Sequence, residues 1–167
     1  MRAMQHIGVF LCSGCGIGEA LDVAALEKTA KEEKAALCTT HPCLCSPEGV
    51  AAVRAAIDDG AIDGVLLAAC SPRAKVHEFS FDPLKVAVER VSLREQVVWS
   101  QPPNHEDTQM LADDLLRMGI AKLTTMALPV PFSAEISDTV LVVGGGVAGL
   151  EAARAAAAAG HEVVIVE

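Results

Sequence analysis

Val65-Leu66-Leu67-Ala68-Ala69-Cys70-Ser71-Pro72 sets the pattern for most of this chain. The apolar half predicts a buried strand. The cysteine that follows precedes a predicted helix start, because Ser is preferred at the N-cap and Pro in the first helical turn. The tripeptide recurs at Cys45-Ser46-Pro47, and Cys12-Ser13-Gly14-Cys15 follows another predicted strand at residues 6–11.

The three cysteine sites are expected to lie together if their strands are parallel. Parallel strands with crossover helices place all their carboxyl ends at one edge of the sheet, where open α/β sheets bind ligands. Helix N-termini carry a partial positive charge that stabilises thiolates. The pattern therefore predicts a site suited to a metal ion or an iron–sulfur cluster.

The rest of this region alternates helix and strand signals. Asp22 is predicted to cap a helix over residues 23–35, and Gly60 to end a helix over 47–58. A long amphipathic helix is predicted to begin after an Asn104 cap. Strands are predicted at 37–40 and 85–91, and a short helix at 93–99. This order favours an α/β fold with a mostly parallel sheet and flanking helices.

A composition change marks a second domain. Leu128-Pro129-Val130-Pro131-Phe132 interrupts regular structure, and polar residues follow to position 138. We therefore predict an N-terminal cluster-binding domain at residues 1–127, a linker at 128–138 and a truncated dinucleotide-binding unit at 139–167.

The second domain carries a glycine fingerprint. A predicted buried strand at 139–143 leads into Gly144-Gly145-Gly146-Val147-Ala148-Gly149, then a helix over 150–159 and a strand ending in Glu167. In a GxGxxG motif, Gly144 would allow the tight turn, Gly146 the approach of a pyrophosphate and Gly149 close helix packing, with Glu167 on the ribose. A complete site needs two such halves, so we expect the chain to be a fragment that alone binds a dinucleotide weakly or not at all.

Composition excludes several classes of protein. Thirteen Lys and Arg against 22 Asp and Glu give a net charge of -9, with few aromatic residues, so nucleic acid is not expected as a partner. No apolar run is long enough for a membrane span or a secretory signal. We expect a cytoplasmic protein, in which six cysteines serve as metal ligands or redox groups. No nucleophile, base and orienting group indicates a hydrolase.

With these residues in view, the chain resembles the family of heterodisulfide reductase A subunits along its whole length. The resemblance rests on Gly8-Val9-Phe10-Leu11-Cys12, Leu44-Cys45-Ser46, Ala68-Ala69-Cys70-Ser71-Pro72-Arg73, Leu93-Arg94-Glu95-Gln96-Val97 and the glycine fingerprint. The spacing of Cys12 and Cys15 and the segment 106–110 look closest to the flavoprotein B subunit of the quinone-interacting membrane-bound oxidoreductase complex.

The resemblance implies an oxidoreductase subunit that, at full length, passes electrons between FAD and [4Fe-4S] clusters. It implies Cys12, Cys15, Cys45 and Cys70 as cluster ligands, although the family often separates the first pair by one residue and this chain by two. It implies other redox subunits as partners, in a complex like heterodisulfide reductase or the quinone-interacting membrane-bound oxidoreductase. Any association with the membrane would come only through those subunits. The isolated fragment is expected to be inactive.

Two other functions remain open. The cysteines could hold structural zinc in a docking module that carries no electrons, although only Cys12 and Cys15 have the usual CxxC spacing. Cys12 and Cys15 could instead act as a thiol–disulfide oxidoreductase. Cys38 and Cys43 lie outside the ligand pattern, His41 and His77 have no assigned role, and Arg73 is either a cation beside the cluster or a solvated side chain.

Overall fold

Four parallel strands form the centre of the first unit of this computed structural model, which describes residues 6–167. The strands are β1 (Ile7–Cys12), β2 (Leu37–His41), β3 (Gly64–Ala69) and β4 (Ala87–Ser92). Their order across the sheet is β2-β1-β3-β4, and each neighbouring pair is parallel. The central strands β1 and β3 are buried along their whole length. The prediction of an α/β fold with a mostly parallel sheet is confirmed.

Helices connect these strands. They are α1 (Ile17–Ala20), α2 (Val23–Glu32), α3 (Pro47–Asp58), a π-helix (Arg94–Val98) and α4 (Glu106–Thr125). The predicted cap of α2 is confirmed, because the Asp22 carboxylate accepts hydrogen bonds from two backbone N–H groups of the first turn. The predicted start of α3 is also confirmed, because Ser46 Oγ accepts from the Gly49 N–H at 3.2 Å.

The predicted helix after Cys70 is wrong. Residues 72–79 form turns and bends, and Ser71 Oγ accepts from the Arg73 N–H at 3.3 Å. The carbonyl groups of Pro72 and Ala74 accept hydrogen bonds from the Arg90 side chain instead of from helical N–H groups. Long-range contacts therefore override the local Ser-Pro signal.

The predicted cap of α4 is also wrong by one residue. Asn104 has a left-handed backbone with φ of 56°, and the helix begins after His105. His105 Nδ1 accepts a hydrogen bond from the Asp107 N–H at 3.3 Å, which is the role predicted for Asn104. Near the middle of α4, a Cβ on Gly119 would lie 2.6 Å from Val91 and 2.7 Å from Leu66. The missing side chain therefore lets α4 pack closely on β3 and β4.

The chain divides into two units, one ending at Val130 and the other beginning at Pro131. The second unit contains β5 (Val140–Val143), α5 (Val147–Ala158) and β6 (Val163–Val166), with the two strands parallel. The predicted burial of the first of these strands is wrong, since Leu141 is 62% and Val143 80% exposed. A single helix cannot cover both faces of a two-stranded sheet.

Within residues 6–167, no helix combines the length and the apolar character that crossing a membrane requires.

Candidate functional site

Five cysteines lie at the carboxyl edge of the four-stranded sheet. Cys12 is the last residue of β1, and Cys70 directly follows β3. Cys15 lies in the turn after β1, and Cys43 and Cys45 lie in the turn after β2. Because β2, β1 and β3 are parallel neighbours, these turns emerge at one edge, as the sequence predicted.

The turns after β1 and β2 are packed against each other. The Ser13 N–H donates to the His41 carbonyl at 3.1 Å. A Cβ on Gly14 would lie only 2.1 Å from the Pro42 carbonyl oxygen, so this contact requires glycine. Cys15 follows with φ of 55°, a left-handed conformation that is uncommon for a side-chain-bearing residue. The conformation of the loop between Cys12 and Cys15 therefore depends on its contacts with the turn after β2.

Cys43 is part of this cysteine group, although the sequence pattern left it out. Its Sγ lies 3.8 Å from Cys45 Sγ, and its thiol is exposed. Burial raises the pKa of Cys45, the hydrogen bond and charge of Cys43 raise it further, and the charge of Lys75 opposes the shift. The CxC spacing of Cys43 and Cys45 in the sequence could have predicted that their side chains lie close together.

Cys70 is in contact with Arg90. Arg90 Nη2 donates to Cys70 Sγ at 3.4 Å and to the Cys70 carbonyl at 3.3 Å. Nη1 donates to the carbonyls of Pro72 and Ala74, at 3.2 and 2.7 Å. The guanidinium also lies 4.8 Å from the centroid of the Phe79 ring. Arg90 therefore fixes both the turn after β3 and the thiol that begins it.

Glu95 holds the other side of this turn. One carboxylate oxygen accepts from the Ser71 N–H at 2.7 Å and from Ser92 Oγ at 2.9 Å. The other accepts from Arg94 Nη2 at 2.6 Å and from Nε at 3.1 Å. Burial acts to raise the pKa of Glu95, but these hydrogen bonds outweigh it and hold the pKa below its usual value.

Arg94 brings a second positive charge to the cysteines. Its hydrogen bond with Glu95 raises the Arg94 pKa, and the neighbouring Cys15 and Cys70 side chains raise it further against the effect of burial. The guanidinium also lies 4.9 Å from the Trp99 ring centroid. Arg73, for which the sequence analysis considered a role as a cation beside the cluster, is exposed.

The remaining candidates lie at the margin of the site. Burial, and then the charge of Glu27, raises the pKa of Cys38 to about 11, so this thiol stays protonated within β2. His41 Nδ1 accepts from the Cys43 N–H at 3.1 Å and shapes the turn. His77 lines a groove of about 440 Å³ that also includes Cys45.

The donor chemistry of this edge fits an iron–sulfur cluster. Three adjacent turns supply thiols, which are the usual cluster ligands, and Arg90 and Arg94 supply positive charge near Cys70. Arg90 Nε is buried and has no acceptor among the described residues. Within residues 6–167, no three Cys, His, Asp or Glu side chains are already grouped to hold a metal ion. The ligand roles of Cys12, Cys15, Cys45 and Cys70 therefore stay predictions.

The glycine fingerprint adopts a strand–turn–helix structure. Gly144 has φ of 105°, and Gly146 is the N-cap of α5, where an added Cβ would meet no atom within 4 Å. A Cβ on Gly149 would lie 2.0 Å from the Gly144 carbonyl oxygen, so the helix approaches the loop closely. Glu167 accepts a hydrogen bond from the Gly145 N–H. Their roles toward a dinucleotide stay predictions.

Comparison with known proteins gives consistent matches. The profile of the family described as pyridine nucleotide-disulphide oxidoreductase matches residues 100–167. The chain is 39% identical, over 98% of its length, to the A subunit of ferredoxin:CoB-CoM heterodisulfide reductase of Methanosarcina mazei. It is 31% identical, over 97%, to an iron-sulfur A subunit of CoB–CoM heterodisulfide reductase of Methanopyrus kandleri. It is 32% identical, over 96%, to the A subunit of H(2):CoB-CoM heterodisulfide,ferredoxin reductase of Methanothermobacter marburgensis. The chain spans 21%, 25% and 26% of these three relatives' lengths, respectively.

Proposed function

The chain is homologous, along nearly its whole length, to the family of heterodisulfide reductase A subunits, and we propose that it is part of a flavin and iron–sulfur electron-transfer subunit. In this proposal the first unit holds one [4Fe-4S] cluster, and the second supplies part of an FAD site. The complete protein passes electrons between these cofactors within a multi-subunit oxidoreductase.

The observation that carries the proposal is the cysteine group at the carboxyl edge of the sheet. Cys12, Cys15, Cys45 and Cys70 come from three neighbouring turns, and thiolates are the usual ligands of a [4Fe-4S] cluster. The Methanopyrus relative is itself named an iron-sulfur subunit. This name supports the cluster over structural zinc.

The chain's own residues bind and orient the cofactors. The four thiols would hold the cluster, which when bound takes up and releases single electrons. Arg90 and Glu95 fix the turn that begins at Cys70. The start of α5 at Gly146 would bind the pyrophosphate. Glu167, whose carboxylate accepts from the Gly145 N–H in this structure, would exchange that contact for the ribose hydroxyl groups. Electron transfer requires neither a nucleophile nor a general base from these side chains.

The proposed partners are other redox subunits, in a complex like that of heterodisulfide reductase or of the quinone-interacting membrane-bound oxidoreductase. Membrane contact would come only through those subunits. We place the protein in the cytoplasm because cysteines that serve as metal ligands or redox groups are typical of a reducing compartment.

The test is the metal content of the whole 167-residue chain, purified without oxygen. We expect about four iron and four sulfide per chain, a broad visible absorption band and an EPR signal on reduction. Cys12→Ser, Cys45→Ser and Cys70→Ser should each lose most of the iron. Cys38→Ser is the matched control, because Cys38 lies within β2, and it should keep the iron.

Two results would contradict the proposal. Zinc without iron or sulfide would indicate the docking module. Absence of both metals, with a disulfide that forms and is reduced reversibly, would indicate a dithiol oxidoreductase. For that outcome the structure favours Cys43 and Cys45, whose sulfur atoms are 3.8 Å apart.

A further inference from the structure

Arg90 is a half-buried cation that contacts a proposed cluster ligand. We propose that Arg90 is a positioning residue for the cluster: it holds the Cys70 sulfur by an N–H···S hydrogen bond and raises the cluster's reduction potential with its charge. This inference rests on the proposed function, because it concerns the same site.

The hydrogen bonds of Arg90 support the positioning role. One guanidinium nitrogen reaches both Cys70 Sγ and the Cys70 carbonyl, and the other reaches two carbonyls of the turn that follows. The Phe79 ring supports the guanidinium from its face. Because the planar fork is held both by these hydrogen bonds and by the ring, the donor toward sulfur is fixed in place.

The charge of Arg90 supports the tuning role. Among the described residues no carboxylate forms an ion pair with Arg90, whereas Arg94 is paired with Glu95. Arg90 Nε is also buried, and no group in the described part of the chain accepts from it. A negative partner would stabilise this half-buried guanidinium, and a thiolate that ligates a cluster would provide one next to it.

The sign of the effect follows from electrostatics. Reduction adds an electron, and therefore negative charge, to the cluster. A nearby positive charge and an N–H donor to a ligating sulfur both stabilise the reduced form more than the oxidised form. Removal of Arg90 should make the cluster harder to reduce.

The experiment compares midpoint potentials of the cluster in the whole chain, measured by anaerobic redox titration with EPR detection. The variants are Arg90→Met, which removes the charge and the fork, and Arg90→Lys, which keeps only the charge. Arg117→Met is the control, because it removes a charge from α4 that is paired with Glu33 and Asp114. Iron and sulfide are quantified in every sample.

At a fixed potential, we expect the ratio of reduced to oxidised cluster to fall about tenfold in Arg90→Met, a shift of about 59 mV for one electron. Arg90→Lys should recover part of this shift, and Arg117→Met should show none. If Arg90→Met does not fold or load, the potential of Arg90→Lys decides, and it should lie below that of the unsubstituted chain.

Two failures are distinguishable. If the loaded variants have the same potential as the unsubstituted chain, the role of Arg90 is refuted and the proposed function stands. If the unsubstituted chain binds no iron and sulfide, the proposed function is refuted, and the role of Arg90 with it.

Discussion

Replacing Glu95 with Gln should destabilise the first unit, although the two side chains have nearly the same shape. Glu95 accepts hydrogen bonds from the Ser71 N–H, the Ser92 hydroxyl and two nitrogens of Arg94. All these groups donate to the carboxylate, and only the Ser92 hydroxyl could also accept. Whichever way the Gln amide is turned, its NH2 group faces either the Ser71 N–H or the Arg94 guanidinium, neither of which can accept, so at least one of these bonds is lost.

The magnitude follows from the burial of the pair. The side chains of Arg94 and Glu95 are 21% and 23% exposed, so water replaces the lost acceptor only in part. Leaving a buried donor without its charged acceptor costs on the order of 2 kcal/mol. For a unit of this size, that loss lowers the melting temperature by about 6 °C.

The assay is thermal unfolding at pH 7, with Asp114→Asn as the control. Asp114 pairs with Arg117 in the same unit, but its side chain is 66% exposed, so this substitution should change stability by less than about 0.5 kcal/mol. Equal melting temperatures for Glu95→Gln and the unsubstituted chain would refute this structural role of Glu95.

The pH dependence provides a second check on the same variant. The folded-state pKa of Glu95 lies below its ordinary value of 4.5, so the folded chain binds this proton less tightly than the unfolded chain. Its contribution is present above pH 4.5 and is lost as the pH falls through the lower folded-state pKa. The difference in stability between Glu95→Gln and the unsubstituted chain should therefore shrink below pH 4.5, and a constant difference would show that charge plays no part.

Three further outcomes are expected. Because burial raises the pKa of Cys38 to about 11, the folded chain keeps a proton that the unfolded chain loses from about pH 9. The free energy of unfolding in urea should therefore fall by about 1 kcal/mol between pH 9 and pH 11, after allowance for the solvent access of this thiol. Cys38→Ala should lack this fall. His105→Ala should cost about 1 kcal/mol by removing the cap of α4, and His105→Asn should restore most of it in the same assay. Gly149→Ala should disrupt the second unit alone, because the new methyl would lie 2.0 Å from the Gly144 carbonyl oxygen; hydrogen exchange should then rise in residues 140–166 and stay unchanged in β1 and β3.

Local sequence signals predicted most of the secondary structure. Buried apolar runs located β1 and β3, and short-range hydrogen bonds from Asp22 and Ser46 started α2 and α3. The glycine fingerprint predicted the turn at Gly144, where the backbone has a positive φ that favours glycine. These features depend on residues within a few positions of each other, so one sequence suffices to predict them. The parallel order then placed the cysteine turns at one edge of the sheet.

The construction of the turn after β3 could not be read from local patterns. The Ser71-Pro72 signal for a helix fails because Arg90 and Glu95, about 20 residues further along the chain, bind the backbone groups of that turn. The approach of Cys43 to Cys45 likewise depends on the fold of the turn after β2. Local patterns were enough for the strands, the starts of α2 and α3 and the edge at which the cysteines lie. The contacts around Cys70 required the folded chain, because they join residues whose proximity no local pattern encodes.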